Sequence, residues 1–147
     1  MLNFHTAAIL ALLTSFSVTP VIAADEEIVG SVETSGVFFK DSIDIIAFDD
    51  PDIQGITCYV TLPKRALSFS DPTDSSLACR RIGEVKGKMS AASDVFKASK
   101  NLFFKTSHVD RFFDAKRNVL IYISYTTSSG SDNHAHSVSV VPLGGER

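Results

Sequence analysis

Apolar and polar residues alternate with a period of two through most of this chain, and that alternation restricts the fold more than any other feature. Residues 119–127 are the clearest case. Val119, Ile121, Ile123 and Tyr125 fall on one side and Leu120, Tyr122, Ser124 and Thr126 on the other, as in a strand whose successive side chains point to opposite faces of a sheet. Apolar residues on both faces of its first half mark a central strand. Residues 108–114 alternate too, with Val109, Arg111 and Phe113 opposed to Asp110 and Phe112, and the polar stretch Ala115-Lys116-Arg117-Asn118 reverses the chain between them. The pair predicts an antiparallel hairpin. A second hairpin is expected from residues 43–48 and 56–62, the latter with Cys58, Val60 and Leu62 on one face. In its connection, Asp49-Asp50-Pro51-Asp52-Ile53-Gln54-Gly55, Pro51 presets φ for a turn and Gly55 tolerates a positive φ on re-entry. Residues 28–32, 37–40, 95–104 and 137–143 are shorter β candidates.

One helix is expected. Asp71-Pro72-Thr73-Asp74 places a capping oxygen before a proline suited to the first helical position, so residues 75–81 should form about two turns ending near Gly83. That helix would carry Cys79 back to the Cys58 strand. Met89, Ala92 and Phe96 also stand at helical spacing, but Gly87 intrudes and these residues are assigned to strand. The Ser-rich run 124–133 reads as a strand end passing into a loop.

The N-terminus follows different rules. Residues 7–24 carry no formal charge, and the acidic trio Asp25-Glu26-Glu27 follows at once. The apolar run, residues 7–13 extended by Phe16 and Val18, is shorter than the ~20 apolar residues that span a bilayer, and Thr, Ser and Pro interrupt it. Residues 1–23 read as a secretory signal peptide, cleaved after Ala23 with Ala24 as second choice. The segment before it, MLNFHT, lacks the usual Lys or Arg, and an uncleaved membrane anchor is the alternative. No Cys lies near the cleavage point, which argues against a lipid anchor. Residues 24–147 then make a single domain, large enough for one core and too small for two, with no stable membrane span. Export also implies an oxidising compartment. There Cys58 and Cys79, the only cysteines, read as a disulfide, with a catalytic or metal role as the alternative. Closing that loop would stabilise the fold by roughly 3 kcal/mol.

Three segments carry a resemblance: AFDDPDIQGITCYV (residues 47–60), DPTDSSLACRRIG (residues 71–83) and RFFDAKRNVLIYISY (residues 111–125). Behind such a leader and in this order, they resemble the CreA family of small exported bacterial proteins, over residues 28–142. The resemblance implies periplasmic residence, a single domain and paired cysteines. It brings no catalytic residue to carry over, and nothing is inherited in the Ser-rich loop or after Leu143.

The chemistry therefore rests on the residues themselves. With 44% apolar and 21% charged residues and a net charge of −3, the chain is an ordinary globular domain, and the acidic balance argues against a nucleic-acid partner. Asp49, Asp50 and Asp52 are oxygen ligands a hard cation such as Ca²⁺ would accept, although a turn wants the same residues. Asp132, His134 and His136 alternate, so an extended backbone sets them on one face as weak Zn²⁺ or Cu²⁺ candidates, against a plainly solvated loop tip. Charge is unevenly spread: residues 25–63 hold nine acids and one base, and residues 64–147 thirteen bases and eight acids. Either the two halves pair, or cations such as Arg80, Arg81, Lys86 and Lys88, or Arg111, Lys116 and Arg117, form a patch for an anionic ligand or partner. Arg111 stands out because it lies mid-strand among aromatics, where an unpaired charge is costly. G-x-S-x-G, H-E-x-x-H, the P-loop and G-x-G-x-x-G are all missing, and no cofactor is expected.

The expectation is a mainly β domain, an antiparallel sandwich or partly closed barrel with one short helix tethered by a disulfide. Its expected role is a non-catalytic binding or accessory protein of the envelope, facing an unknown envelope protein or small ligand across Asp49, Asp50, Asp52, Arg111, Lys116 and Arg117. Eleven Phe would allow an apolar ligand cavity, though core packing accounts for most. The rival is a hydrolytic or metal-dependent envelope enzyme using clustered Asp and His residues.

Overall fold

A computed structural model of the chain describes residues 26–34, 36, 38–64, 74–100, 105–127 and 135–144. Eight strands follow one another: β1 (Glu27–Glu33), β2 (Ser42–Asp49), β3 (Ile53–Lys64), β4 (Leu77–Gly87), β5 (Ala92–Lys100), β6 (Lys105–Asp114), β7 (Val119–Thr127) and β8 (His136–Pro142). They form two four-stranded antiparallel sheets, β1-β2-β3-β4 and β5-β6-β7-β8, each a meander in chain order. Both expected hairpins are present, β2 with β3 and β6 with β7. The expected signal segment and its cleavage point lie outside the described residues. Among the described residues no helix is long and apolar enough to cross a membrane.

Burial follows the alternation. Ile46 and Phe48 of β2, Ile56, Cys58, Val60 and Leu62 of β3, and Leu77 of β4 meet Val95, Phe96, Val109, Leu120, Tyr122 and Val141 of the second sheet in one core. Phe48 and Phe96 stack with ring centroids 4.6 Å apart. In β7 the buried side is Leu120, Tyr122 and Ser124, so Val119, Ile121 and Ile123 look outward. The two sheets share this core and do not close into a barrel.

The β2–β3 connection behaves as its residues require. The Asp50 carboxylate accepts the N–H groups of Asp52 (2.9 Å) and Ile53 (3.0 Å), the Asx-type turn that short acidic side chains favour. Gly55 has φ 81°, and a Cβ there would lie 2.4 Å from the Glu84 carbonyl oxygen. Its bare backbone is what lets β4 approach at the bulge between Gln54 and Ile56.

The expected helix over residues 75–81 does not form. Leu77–Gly87 is strand β4, and no helix occurs among the described residues. Local capping signals lose to a period of two that the same residues carry: Leu77 is buried and Ala78 exposed, Cys79 half-buried and Arg80 exposed. Cys79 pairs directly with Cys58 across the β3–β4 ladder, and the two form the disulfide with Cα atoms 4.0 Å apart. The N–H groups of Leu77 and Cys79 point away from β3 and donate to Ser137 Oγ (3.2 Å) and Ser139 Oγ (2.8 Å) of β8. That places the cysteines at a non-hydrogen-bonded pair, where facing strands come closest. Serine hydroxyls thus satisfy an edge that would otherwise stay open to pairing. Of residues 37–40, expected as strand, Phe38 and Phe39 form a bend, Lys40 is not in a strand, and Val37 lies outside the described residues. Met89 lies in the turn before β5, and Ala92 and Phe96 are in that strand.

Candidate functional site

Arg111 is the largest fully buried side chain among the described residues, 1% exposed, on the inward face of β6. Burying a guanidinium is tolerable only if every charge and donor is answered. Its Nη1 donates to Asp50 Oδ1, its Nη2 to Asp52 Oδ2 at 3.0 Å, and its Nε to the Ser90 carbonyl at 3.0 Å. The Tyr122 hydroxyl of β7 donates to the other Asp50 oxygen at 2.6 Å. Asp50, with its side chain 0% exposed, therefore receives two backbone donors, a guanidinium and a phenol. Burial, the largest single influence, pulls the Arg111 pKa down, yet the bonds and charges of Asp50 and then Asp52 carry it above its ordinary value. Burial first, then the bond to Asp50 and its charge, push the Tyr122 phenol well above the ordinary range.

This cluster ties together three separate pieces of chain. Asp50 and Asp52 come from the β2–β3 turn, Arg111 and Tyr122 from the second sheet, and Ser90 from the 88–91 crossing between the sheets. Of the six residues expected to share a binding surface, Asp50 and Arg111 meet here in the interior, and Asp52 reaches Arg111 from an exposed position at its rim. Asp49 is bonded by Thr57. Lys116 and Arg117 sit exposed in the β6–β7 turn, where Arg117 bonds Asp114 at 2.6 Å and holds its carboxyl below the usual range. The charge imbalance between the halves of the chain is met partly by this cluster and partly by Lys64 with Asp44. Arg80 and Arg81 are exposed on β4, as is Lys86, which pairs with Glu84 at 2.8 Å.

A second polar cluster lies on the outward face of the other sheet. His108 Nδ1 is 2.5 Å from Asp94 Oδ1 and its Nε2 is 2.9 Å from Thr127 Oγ1. Tyr125 stacks on the imidazole with centroids 5.0 Å apart, and its hydroxyl donates to Asp110 at 3.2 Å. Asp94 reaches this position from a bulge in β5, at a φ of 53°, with its N–H held by Asp110 Oδ1 at 2.8 Å. The bond to His108 outweighs burial and holds the Asp94 carboxyl below its ordinary value, with Lys97 assisting. Sequence reasoning missed these residues. Register brings His108 beside Tyr125, and only the bulge adds Asp94.

Of the weak metal candidates, Asp132 and His134 lie outside the described residues, and His136 is exposed at the start of β8. Among the described residues no three His, Cys, Asp or Glu side chains gather as a metal site. An open cleft of about 540 Å³ lies on the first sheet, its lining including the polar residues Thr34, Asp41, Ser42, Lys64, Asp74 and Ser76 beside Ile43 and Pro63.

Residues 29–146 match the family described as CreA protein. Protein CreA of Escherichia coli strain K12 is 33% identical over 134 residues, covering 82% of this chain and 85% of that protein. The protein of the same name from Escherichia coli O157:H7 matches with the same identity and coverage. No solved structure matches the chain. With the family matched across most of its length, this chain belongs to the CreA family.

Proposed function

We propose that the chain is exported to the periplasm through its leader, residues 1–23, and acts there as a non-catalytic binding or accessory protein of the envelope. What supports this most is the commitment of the Asp50 carboxylate to Arg111, Tyr122 and its own turn. Both oxygens of this carboxylate are engaged by donors inside the core, so the cluster serves the scaffold. The disulfide is in keeping with an oxidising compartment. Two measurements test the reading. The mass of the natural protein should correspond to an N-terminus at Ala24 or Asp25; an intact Met1 would refute export by cleavage. Crosslinking in intact cells followed by mass spectrometry should join the protein to one envelope component, and uniform labelling of abundant neighbours would refute a specific accessory role.

One observation favours the hydrolytic rival. An ionised Asp94 can only accept, which puts the proton of a neutral His108 on Nδ1 and turns the Nε2 lone pair to the Thr127 hydroxyl. That is the order of orienting acid, base and nucleophile found in hydroxyl-dependent hydrolases. The cluster stands on an open sheet face, however, and the cleft lies on the other sheet. Turnover of nitrophenyl acetate abolished by both His108→Gln and Thr127→Val would establish this reading. Background rates in the parent protein would end it.

A further inference from the structure

The cleft of about 540 Å³ on the first sheet lies where β2 starts and β3 finishes, and its size is that of a small-molecule site. Its apolar part is Ile43 and Pro63, which face each other across the β2–β3 ladder. The polar residues around them are fixed by hydrogen bonds from three pieces of chain. The Thr34 N–H donates to the Asp41 carbonyl at 2.8 Å and joins the end of β1 to the start of β2. The Ser76 N–H donates to Thr61 Oγ1 at 2.9 Å, and the Thr61 N–H returns a bond to the Ser76 carbonyl at 3.0 Å. Ser75 Oγ donates to the buried Ser124 Oγ of the second sheet at 3.3 Å.

The lining excludes several ligand classes. Lys64 is its one cation among the described residues, and its Nζ is taken by Asp44, whose side chain is 6% exposed and lies outside the lining. The charge that remains belongs to Asp41 and Asp74, so a phosphate or carboxylate ligand meets repulsion and no answering guanidinium or ammonium. No aromatic ring lines the cleft among the described residues, which leaves a flat aromatic ligand nothing to stack on. Nor do three His, Cys, Asp or Glu side chains gather there to hold a metal. What the cleft offers is hydroxyls that donate and accept, on Thr34, Ser42 and Ser76, carboxylates that only accept, and a small aliphatic surface. A sugar ring is the complement of that set, with donating and accepting hydroxyls around its rim and C–H faces that pack on Ile43 and Pro63. An ammonium substituent on the ring supplies the charge that Asp41 and Asp74 receive. We propose that this cleft binds an amino sugar. Asp74 and Thr34 are exposed, so the ion pair is screened by solvent and the binding is weak.

This assignment rests on the binding reading above and adds the chemical class of the ligand. Amide resonances of the purified, oxidised protein are followed during titration with glucosamine at about pH 6, where an amine of this kind is charged. Residues 34, 42, 43, 61 and 74–76 should shift and saturate with a Kd of about 1–10 mM. Glucose should move the same residues about two- to fivefold more weakly, the worth of an exposed ion pair, and glucuronate should bind least. Thr34→Val should weaken both neutral and amino sugar, and Asp74→Asn should remove most of the preference for the amine. Neither should move the urea midpoint. Absence of shifts at these residues up to about 50 mM, beyond the weakest expected Kd, overturns the proposal. So does glucuronate binding as tightly as glucosamine, a preference unchanged in Asp74→Asn, or a response to calcium chloride with none to either sugar. A protein that ignores glucosamine but is crosslinked to one envelope component in cells refutes this inference and leaves the accessory reading standing. Saturable glucosamine binding with no specific envelope partner in cells does the reverse.

Discussion

Replacing Arg111 tests whether the buried cluster holds the two sheets together. Arg111→Met keeps an unbranched apolar stem of similar length but removes three hydrogen bonds and strands the Asp50 carboxylate, whose side chain is 0% exposed. Removing one partner of a buried ion pair costs about 3–5 kcal/mol, mostly the penalty of the charge left behind. Asp50→Asn should cost less, about 2 kcal/mol. The amide oxygen can still cap Asp52 and Ile53, and Arg111 keeps Asp52, which is 57% exposed. The double variant leaves no stranded charge and should cost about 3–4 kcal/mol rather than the summed 6, a coupling of about 2–3 kcal/mol. Urea unfolding without reductant, read by far-ultraviolet circular dichroism, measures all three against the parent with the disulfide intact. Additivity within about 0.5 kcal/mol would refute the reasoning, because Asp50 and Arg111 would then be stabilising the fold independently.

Other expectations follow from the same geometry. Asp94 is held below its ordinary pKa by His108, so its contribution is present above the unfolded value of about 3.9 and is lost as pH falls through the lower folded value. Asp94→Asn should therefore flatten the dependence of the urea midpoint on pH below about 4; an unchanged acid limb would contradict this. Tyr122 has its pKa raised by burial and by Asp50, so its contribution is complete below the unfolded value of about 10 and disappears as pH rises further. In Tyr122→Phe the alkaline loss of stability should shrink, and in the parent the Tyr122 phenolate absorbance should appear only together with unfolding. Gly55→Ala drives a Cβ to 2.4 Å from the Glu84 carbonyl oxygen at a φ of 81° and should cost about 2 kcal/mol or more. Gly83→Ala, with nothing within 4 Å of its Cβ, should be neutral within about 0.5 kcal/mol by the same urea assay.

Strands were legible in this sequence wherever one face is buried, because alternation then records burial residue by residue. Residues 119–127 and 56–62 are the plain examples. The 75–81 error has the opposite cause. A capping pattern is local, whereas what makes Leu77 and Cys79 extended lies elsewhere in the chain, in Cys58 and in the serines of β8, 60 residues away. Arg111 could be recognised as a residue needing a partner, but not which one. Asp50 lies 61 residues earlier, in a turn whose acids already had a local explanation. Both explanations hold, since the same carboxylate closes its turn and receives the guanidinium. His108 and Asp94 escaped because a bulge with a left-handed aspartate leaves no trace in periodicity.

The three segments that carry the family resemblance gain a physical meaning from the fold. The first contains Asp50, Asp52 and Cys58, the second Cys79, and the third Arg111 and Tyr122. These are the residues of the disulfide and of the buried cluster, which fasten β3 to β4 and one sheet to the other. The segments that carry the resemblance therefore contain these fasteners, whose bonds are made internally. Residues free to meet something outside belong to a different set. Asp94, His108, Thr127, Val138 and Val140 all lie outside those segments, whereas Phe112, Asp114, Val119, Ile121, Ile123 and Tyr125 belong to both the third segment and the outward face. A substitution at a fastener should thus appear first as lost stability, and one at Thr34 or His108 as lost interaction with stability retained. Sorting variants by urea midpoint before any functional assay separates the two sets. A stable Arg111→Met protein that had lost its envelope partner would show that the buried cluster acts beyond the scaffold.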